Sequence, residues 1–589
     1  MSFKKTLIFF VALLLLGGYY YVFEIKMAEK KEAAETAQKQ LFQLKKEDIA
    51  AISLKRAAEE IVLKKQENVW KLEQPVAALA DANAVDALLT AFIGAEREKT
   101  VAEKAEKPEE FGLNAPEIVI AATTQSNAAS TLSIGQMTPT STAYYATAGH
   151  APAVFTISAA FKTEIDKTVY DLRDKTALDF DPAQVKTARF TVTSPEKPTP
   201  ETIELSQENA LWQITSPKTA NADTAKVNAI LSELKNAAVM EFVAETPDKL
   251  ADYGLDAPQK ILTLTVGDGQ EKMLRLGKRS EERGGVYAQH EATGNIFMLP
   301  GTVDDEFPNT LNDLRDKTLL TFENDAIQSV EVATETETIA AQRADTAWKL
   351  VTPAEFPADA IALNALLNDA KNAKAADFVD DAGTDLAAYG LNPAQLTLTL
   401  RAKEADAAHA LLIGSAAPNN AGVYAKVGNQ DGVVIIPNET AAQFRKTAFD
   451  LRDKKIVKFD AEQVKTIEVA YPDNTLVLKQ DGDLWKADGQ EVQAFKINNL
   501  LYDISALEFA QEPLAATPDV TPYGLTTPAA TITLRNAKGE EAAVITVGRS
   551  PDNSANVYAK TSAADKIYPI AAAFLDELPK DAASLANAE

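Results

Sequence analysis

The same order of hydrophobic and polar positions occurs four times along the chain. Each copy opens with two short apolar segments around a polar turn, as in VLKKQENVWKL, a pattern typical of a β-hairpin. In the first three copies an amphipathic segment follows at helical spacing, as at Val85, Leu88, Leu89 and Phe92. Alternating segments broken by Gly come next and predict antiparallel strands. Each copy is therefore predicted to be an α+β module, an antiparallel β-sheet with covering helices.

Recurring aromatic residues set the register of the repeat. The four tryptophans, Trp70, Trp212, Trp348 and Trp485, are separated by 142, 136 and 137 residues. Each is followed by an aromatic-Gly-Leu turn and then by a Tyr-Ala pair, as at Tyr253 and Tyr287 in the second copy. We call the copies modules 1 to 4 and place them at residues 44–180, 181–322, 323–459 and 460–589.

The N-terminal segment is predicted to anchor the chain in a membrane. Leu7 to Phe23 is an uncharged apolar run of 17 residues preceded by Lys4 and Lys5, which is near the lower limit for a spanning helix. We assign residues 1–26 to a transmembrane anchor and 27–43, rich in Ala, Glu, Lys and Gln, to a helical stalk. A cleaved signal peptide is the alternative. The predicted location is the inner membrane, single-pass, with the bulk of the chain on the periplasmic side.

Composition narrows the range of partners. The chain has 85 acidic against 59 basic residues, a net charge of -26, which repels nucleic acid phosphates. We therefore expect no nucleic acid partner. It has no cysteine, which excludes thiolate metal sites and suits an oxidising compartment.

A charged pentapeptide, DLRDK, occurs identically near the end of modules 1, 2 and 3 and is missing near the end of module 4. Such a motif fits either an active site or a joint in which Arg pairs with a carboxylate of the next module. Its position before each junction favours the joint. The candidate joint residues are Asp171, Arg173, Asp174, Asp313, Arg315, Asp316, Asp450, Arg452 and Asp453.

Candidate chemistry is otherwise sparse. The histidines, His150, His290 and His409, fall at non-equivalent places in their modules, so they cannot form a repeated metal site. Asp81, Asp223 and Asp359 precede the amphipathic segments and are predicted helix caps. The recurring Trp and Tyr side chains fit core packing better than sugar stacking. We find no motif of a known nucleophile, phosphate loop or metal site, and we predict no catalytic residues, no cofactor and no metal.

The order of Trp, the YGL-type turn with a following Pro, the Tyr-Ala pair and DLRDK resembles the family known as domain of unknown function 4340, over roughly residues 44 to 578. The resemblance implies a single-span envelope protein of the kind often encoded beside gliding-motility-type ABC exporters. The leading hypothesis is a non-enzymatic accessory or scaffold protein that contacts an ABC-type permease. An envelope binding module for glycan, peptide or lipid is the alternative, and an enzyme is a third hypothesis for which no site is seen.

Overall fold

The structure is a computed structural model that describes residues 39–104, 106–149, 153–193, 199–267, 269–290, 293–345, 347–403, 408–549 and 555–585. The predicted anchor and most of the predicted stalk lie outside these ranges. Within the described residues, no helix is both long enough and apolar enough to cross a bilayer. The chain divides into two compact units, residues 1–316 with modules 1 and 2 and residues 317–589 with modules 3 and 4, and each unit is described by itself.

Module 1 is built from nine strands and three helices. The strands are β1 Ile49–Lys55, β2 Glu60–Gln66, β3 Val69–Gln74, β4 Ala78–Leu79, β5 Lys99–Ala102, β6 Ile118–Thr124, β7 Ala129–Met137, β8 Ala143–Ala148 and β9 Val154–Ser158. The helices are α1 Ala82–Ile93, α2 Ala159–Ile165 and α3 Val169–Leu172.

Module 2 repeats the same order of elements. Its strands are β10 Val185–Val192, β11 Glu201–Glu208, β12 Leu211–Ser216, β13 Ala220–Asn221, β14 Glu241–Ala244, β15 Lys260–Val266, β16 Gln270–Ser280, β17 Gly285–His290 and β18 Ile296–Pro300. Its helices are α4 Thr224–Asn236 and α5 Gly301–Glu306, and a 3-10 turn, Leu311–Asp313, stands where module 1 has α3.

Module 3 again has nine strands. They are β19 Ile327–Thr334, β20 Thr338–Ala344, β21 Ala347–Thr352, β22 Phe356–Pro357, β23 Asp377–Asp380, β24 Leu396–Ala402, β25 His409–Ala416, β26 Val423–Val427 and β27 Val433–Ile436. The helices are α6 Ala360–Asn372, α7 Asn438–Gln443 and α8 Ala448–Leu451.

Module 4 completes the series. Its strands are β28 Val464–Ala470, β29 Thr475–Asp481, β30 Leu484–Ala487, β31 Gln490–Val492, β32 Leu514–Ala515, β33 Ala530–Asn536, β34 Glu541–Val547, β35 Asn556–Thr561 and β36 Ala564–Ala571. Its helices are α9 Ala494–Ser505 and α10 Phe574–Glu577.

Each module is one antiparallel nine-stranded sheet, so the prediction of four repeats with antiparallel sheets is confirmed. In module 1 the strand order is β4-β3-β2-β1-β6-β7-β8-β9-β5, and the other three sheets follow the same order. Strand is the dominant structure, and one longer helix per module packs on the sheet. The two short edge strands flank that helix in sequence, because the chain leaves the sheet after β4, forms α1 and returns as β5 on the opposite edge.

The long helix of each module buries its apolar stripe against the sheet. In module 1, Val85, Leu88, Leu89 and Phe92 are buried in one core, and each of the other modules has an equivalent core of its own. The predicted caps are confirmed in the first three modules, since the side chains of Asp81, Asp223 and Asp359 accept hydrogen bonds from N–H groups of the first helical turn. In module 4, Gln493 stands at this position and makes no side-chain cap.

The recurring aromatic residues pack inside the modules. Trp212, Trp348 and Trp485 are buried, whereas Trp70 is partly buried against its core. The ring of Tyr253 meets that of Tyr287 edge to face at 5.1 Å. Modules 3 and 4 contain the same pair of tyrosines, and module 1 has Phe111 against Tyr145. The backbone of Tyr253 also passes close to Gly277 in β16. A Cβ on Gly277 would lie 2.2 Å from the carbonyl oxygen of Tyr253, so only glycine fits there. These motifs therefore serve packing within each module.

Candidate interaction site at the joints between modules

The first Asp of each pentapeptide closes the helical turn that carries the motif. Thr168 precedes α3, and its backbone N–H donates to Asp171 Oδ2 at 2.8 Å while its Oγ1 accepts from the N–H of Asp171 at 3.2 Å. The same reciprocal pair joins Thr447 to Asp450 and Thr310 to Asp313. Asp171, Asp313 and Asp450 therefore belong to capping boxes, and they shape the turn that positions the following Leu and Arg.

These capping bonds change the acidity of two of the carboxyl groups. The hydrogen bond from the backbone N–H of Thr168 lowers the pKa of Asp171, and it outweighs the opposing effect of burial. For Asp450, burial acts to raise the pKa, but the hydrogen bonds from the backbone and side chain of Thr447 lower it overall. Both groups are thus held in the charged form that accepts these bonds.

In the first unit, Arg173 reaches from module 1 into module 2. Its guanidinium donates to both carboxylate oxygens of Glu245, with Nη2 3.1 Å from Oε2. The guanidinium carbon lies 3.6 Å from the centre of the ring of Phe242, which belongs to module 2 like Glu245. The Arg173 side chain is only 8% exposed while that of Glu245 is 42% exposed. This is a forked ion pair stacked on an aromatic ring, a geometry that lysine cannot reproduce.

In the second unit, Arg452 makes the corresponding contact from module 3 to module 4. Its Nη1 donates to Glu512 Oε2 at 2.9 Å. The guanidinium carbon lies 3.8 Å from the Phe356 ring of module 3 and 5.1 Å from the Phe509 ring of module 4. Arg452 thus has aromatic neighbours from both modules, and its side chain is 10% exposed.

Backbone hydrogen bonds tie the pentapeptide to the modules on both sides. Within module 1, Asp174 N donates to Leu79 O at 3.0 Å, so the segment extends the edge of the sheet beside β4. Towards module 2, Val239 N donates to Lys175 O at 2.8 Å. The second unit repeats the arrangement through Asp453 N to Pro357 O at 2.9 Å and Phe509 N to Lys454 O at 3.0 Å. The pentapeptide therefore crosses each of these two junctions as hydrogen-bonded backbone.

The second Asp of the motif turns the chain into the next module. Asp174 Oδ1 accepts from the N–H of Thr176 at 2.9 Å and from its hydroxyl at 2.7 Å. Asp453 accepts from the N–H of Lys455 at 3.1 Å and pairs with Lys458 Nζ at 2.8 Å. Neither carboxylate is the partner of its neighbouring Arg, since that role falls to a glutamate of the following module.

The remaining pentapeptide ends the first unit. Its Leu314 is buried in the core of module 2, and Arg315 pairs through its backbone with Ala222 as Arg173 does with Ala80. Asp316 N donates to Asn221 O at 2.9 Å. The local fold of the motif is therefore the same as at Arg173 and Arg452.

The receiving side of the joint was missed by the sequence reasoning. Phe242 and Glu245 form a Phe-x-x-Glu pattern after the long helix of module 2. Phe509 and Glu512 have the same spacing in module 4 but lie three residues earlier, because Phe509 N donates to Lys454 O as Val239 N does to Lys175 O. Module 3 has Phe378 and Asp381 at the positions of Phe242 and Glu245. Module 1 has Thr100 and module 4 has Glu512 at the position of Phe242, and no DLRDK precedes module 1 in the sequence. An alignment of the modules by their long helices would have revealed this pattern in modules 2 and 3.

Module 4 contains a neutral version of the pentapeptide. Gln493 N donates to Leu585 O at 3.1 Å, which is the bond that Asp81 N makes to Leu172 O in module 1. Leu585 is therefore equivalent to the Leu of DLRDK, and the residue after it in the sequence is Ala586 in place of Arg. The joint arginine is thus found only in modules that are followed by another module within this sequence.

A cavity of about 550 Å³ lies beside Arg173 at the joint of modules 1 and 2. One wall is apolar and includes Val76, Ala78 and Phe242, while Lys272 and His290 contribute polar groups from module 2. Ala78 begins β4 as Phe356 begins β22. The ring nearest to Arg452 therefore comes from the sheet position that Ala78 holds in module 1, whereas the ring nearest to Arg173 is that of Phe242 in the following module.

Little else in the described residues resembles a reactive centre. No group of three or more His, Asp and Glu side chains is placed to hold a metal ion in the part of the chain that the structure describes. His290 lines the cavity, and the ring of His409 lies 5.7 Å from that of Phe322. His150 is outside the described residues.

The fold and the joints define a tandem-repeat protein of nine-stranded β modules, in which the two modules of each unit are joined by an arginine-mediated contact. The family model for "Domain of unknown function (DUF4340)" matches residues 70–210, 212–347, 348–513 and 488–589. The chain belongs to this family, as the order of its motifs predicted. No curated protein and no solved structure matches the chain.

Proposed function

We propose that this chain is a non-enzymatic, membrane-anchored scaffold on the extracytoplasmic side of the inner membrane. In this proposal residues 1–26 span the membrane, and the modules present a surface to a membrane protein complex, an ABC-type permease. The apolar run from Leu7 to Phe23 and the acidic, cysteine-free composition support this placement.

The distribution of the joint residues is the observation that carries the scaffold proposal. Arg173 and Arg452 are buried where they meet the following module, and Ala586 takes the place of Arg in module 4. Residues of a repeated active site would be expected in every module. Residues that hold neighbouring modules in a fixed relation are expected only at junctions.

Co-purification of the full-length chain from detergent-solubilised membranes tests the proposal. The expected result is a multi-spanning membrane protein recovered in a fixed ratio to the chain. The matched control is a chain in which a cleavable signal peptide replaces residues 1–26. We expect this control to keep the circular dichroism of the folded modules and to lose activity in cells. If the anchorless control restores the phenotype of a deletion strain, the scaffold proposal is wrong.

An envelope binding module is the second candidate function. The cavity of about 550 Å³ beside Arg173 favours this function. Sites for small molecules commonly have volumes of about 300 to 1,000 Å³ and often lie at the boundary between domains. A thermal-shift screen of glycan fragments, peptides and lipids with the full-length chain would test this candidate. A ligand whose stabilisation disappears when Lys272 is replaced by Ala would support it.

A further inference from the structure

We infer that the outward face of α9, the long helix of module 4, pairs with the same face of a second copy of this chain. Phe495 and Tyr502 lie seven residues apart on this helix, two turns and about 10.5 Å along its axis, so both project from one face. They are 59% and 69% exposed, the most of any aromatic residues in the part of the chain that the structure describes. The buried stripe of α9 lies on the opposite face, at Ile497, Leu500, Leu501 and Ile504.

The exposed aromatic pair is particular to module 4. The buried stripes align the long helices, so that Ile497 of α9 corresponds to Val227 of α4. At the two aromatic positions module 2 has Ala225 and Ser232. The other two modules have Asn83 and Thr90 in α1 and Ile361 and Asn368 in α6. Since the same helix packs on its sheet without these rings in three modules, the rings of α9 indicate a contact outside module 4.

The charge of this face fits a second copy of the chain. Asn498 and Asn499, which lie between the two rings, are exposed and uncharged. A chain of net charge -26 repels a second copy unless the surfaces that meet carry no net charge. The centre of the α9 face meets this condition, so two copies can approach there.

An antiparallel pair of α9 helices gives these groups matching partners. With a two-fold axis between Asn498 and Asn499, Phe495 of each copy lies opposite Tyr502 of the other. Ring pairs of this kind are favourable contacts. The two amides also meet across the axis, and each has both donors and an acceptor for the other. The face is therefore self-complementary in shape and in hydrogen bonding.

The flank of the helix is self-complementary in charge. Lys496 and Asp503 both border the groove between α9 and residues 576–585. The two-fold axis brings the same flank of both helices together, so Lys496 of each copy approaches Asp503 of the other. Lys496 Nζ also donates to Ser584 O at 2.9 Å, and an ammonium group has three donors, so both contacts can form.

The contact is small, and we therefore expect weak pairing. Stable complexes bury about 800 Å² on each partner, which is more than two rings and two amides on one helix provide. In the proposed function both copies are attached to one membrane, which would raise their effective concentration. The inference rests on that function only for this gain, because the contact itself needs neither anchor nor permease.

Site-specific crosslinking tests the inference, because the chain has no cysteine of its own. Asn499→Cys places a thiol beside the two-fold axis, and a short bismaleimide should join two such chains in purified full-length protein. Ala229→Cys is the matched control, at the equivalent exposed position of α4. We expect a product of two chains from Asn499→Cys, with a yield that rises with protein concentration and exceeds that of the control by about tenfold or more.

Equal yields from the two cysteine variants, or no product from either, overturn the inference. The same reaction in native membranes shows whether a different protein occupies the face, and a product that contains such a protein in place of the second copy also overturns it. The purified protein needs no membrane. Failure to recover a permease would therefore remove the scaffold proposal and leave the crosslinking result unaffected.

Replacing the rings in the Asn499→Cys chain locates the contact. Phe495→Ala with Tyr502→Ser gives α9 the residues that α4 has at these positions and is expected to lower the yield by about tenfold. Both side chains are exposed, so the variant should keep the circular dichroism of the natural chain. An unchanged yield overturns the inference.

A charge exchange in the same chain tests the antiparallel direction. Asp503→Lys sets two lysines against each other across the axis and should lower the yield severalfold. Adding Lys496→Asp restores opposite charges and should recover the yield, whereas a folded double variant without recovery overturns the inference. If the double variant does not fold, the yield of Asp503→Lys at high salt decides, because salt screens the repulsion. Recovery in salt supports the inference, and no recovery overturns it.

Discussion

The joint between modules 1 and 2 and the joint between modules 3 and 4 use the same pentapeptide but surround its arginine differently. Arg173 makes a forked ion pair with Glu245 and stacks on one ring, Phe242. Arg452 makes a single hydrogen bond to Glu512 and has a ring of its own module, Phe356, as its nearer aromatic neighbour. The first joint thus depends more on charge, and the second depends more on aromatic packing.

The partner glutamates differ in exposure in a way that strengthens this contrast. Glu245 is 42% exposed and Glu512 is 67% exposed. A more exposed carboxylate interacts through a higher effective dielectric and retains more of its hydration. A buried arginine can therefore be held mainly by an ion pair or mainly by aromatic rings, provided that its side chain is shielded from water.

Removal of the arginine is expected to have the largest effect. Arg173→Ala loses two charge-assisted hydrogen bonds and one ring contact, for a local cost of about 2 to 3 kcal/mol. Arg452→Ala is expected to cost about 1 to 2 kcal/mol, because its partner is better solvated once released. Hydrogen exchange at the N–H groups of Val239 and Phe509, which cross the two joints, measures these losses.

An exposed ion pair within module 2 provides the matched control for both variants. Arg189 pairs with Glu204 at 2.9 Å, with side chains 50% and 42% exposed. Arg189→Ala is expected to cost less than about 1 kcal/mol. If its effect equals that of Arg173→Ala, the joint arginines are ordinary surface charges.

The double variant of Arg173 and Arg452 should keep all modules folded and change the maximum dimension in small-angle scattering, as expected if these residues set the angle between modules.

Neutralising the partner glutamates is expected to have a different stability cost at each joint. Glu245→Gln keeps the shape of the side chain but removes its charge, and we expect a cost of about 1 kcal/mol. Glu512→Gln is expected to cost less than about 0.5 kcal/mol, because the carboxylate is mostly exposed. The same exchange measurement applies, repeated at high salt to screen the exposed pair. Equal costs at the two joints would contradict the proposed difference in their basis.

The capping boxes are expected to have a smaller effect that is similar at both joints. Thr168→Ala and Thr447→Ala should each cost about 1 kcal/mol through loss of a cap. The folded-state pKa values of Asp171 and Asp450 are lowered. The stability that these two carboxylates contribute to the folded state is therefore fully present above their unfolded pKa of about 3.9. It is lost as the pH falls through their lower folded pKa values.

Acid titration of joint protection, followed by hydrogen exchange, checks this pH dependence. The natural chain should lose protection at Val239 and Phe509 as the pH falls below about 4. In the Thr168→Ala variant the loss at Val239 should be smaller, because Asp171 no longer accepts a bond from the Thr hydroxyl. An unchanged acid profile in this variant would show that the cap does not stabilise the joint.

Much of the fold could be predicted from the sequence, because each pattern occurs four times along the chain. Alternation and helical spacing predicted the antiparallel sheet and the long helix, and Asp81, Asp223 and Asp359 were identified as caps from position alone. The greater share of strand was not anticipated. Edge strands such as β4, with only two residues, are too short to produce an alternating pattern.

The candidate site was half visible in the sequence. DLRDK stood out because it is identical three times, whereas Phe242 and Glu245 were overlooked because an isolated Phe and an acidic residue three positions later are common in any globular chain. The arginine and its glutamate are far apart in the sequence: Arg173 and Glu245 are separated by 72 residues. Local pattern contains no information about such a pairing unless the modules are aligned with each other.

The repeat, the antiparallel sheet and long helix of each module, three of the helix caps and the family could all be predicted from the sequence, because they depend on local periodicity and on residue order. The carboxylate that meets each arginine, and the side of the joint that supplies its nearest ring, became known only from the tertiary structure. The physical reason is that these features arise from side chains brought together by the folding of separate modules, and their energies depend on burial and geometry that short-range sequence does not encode.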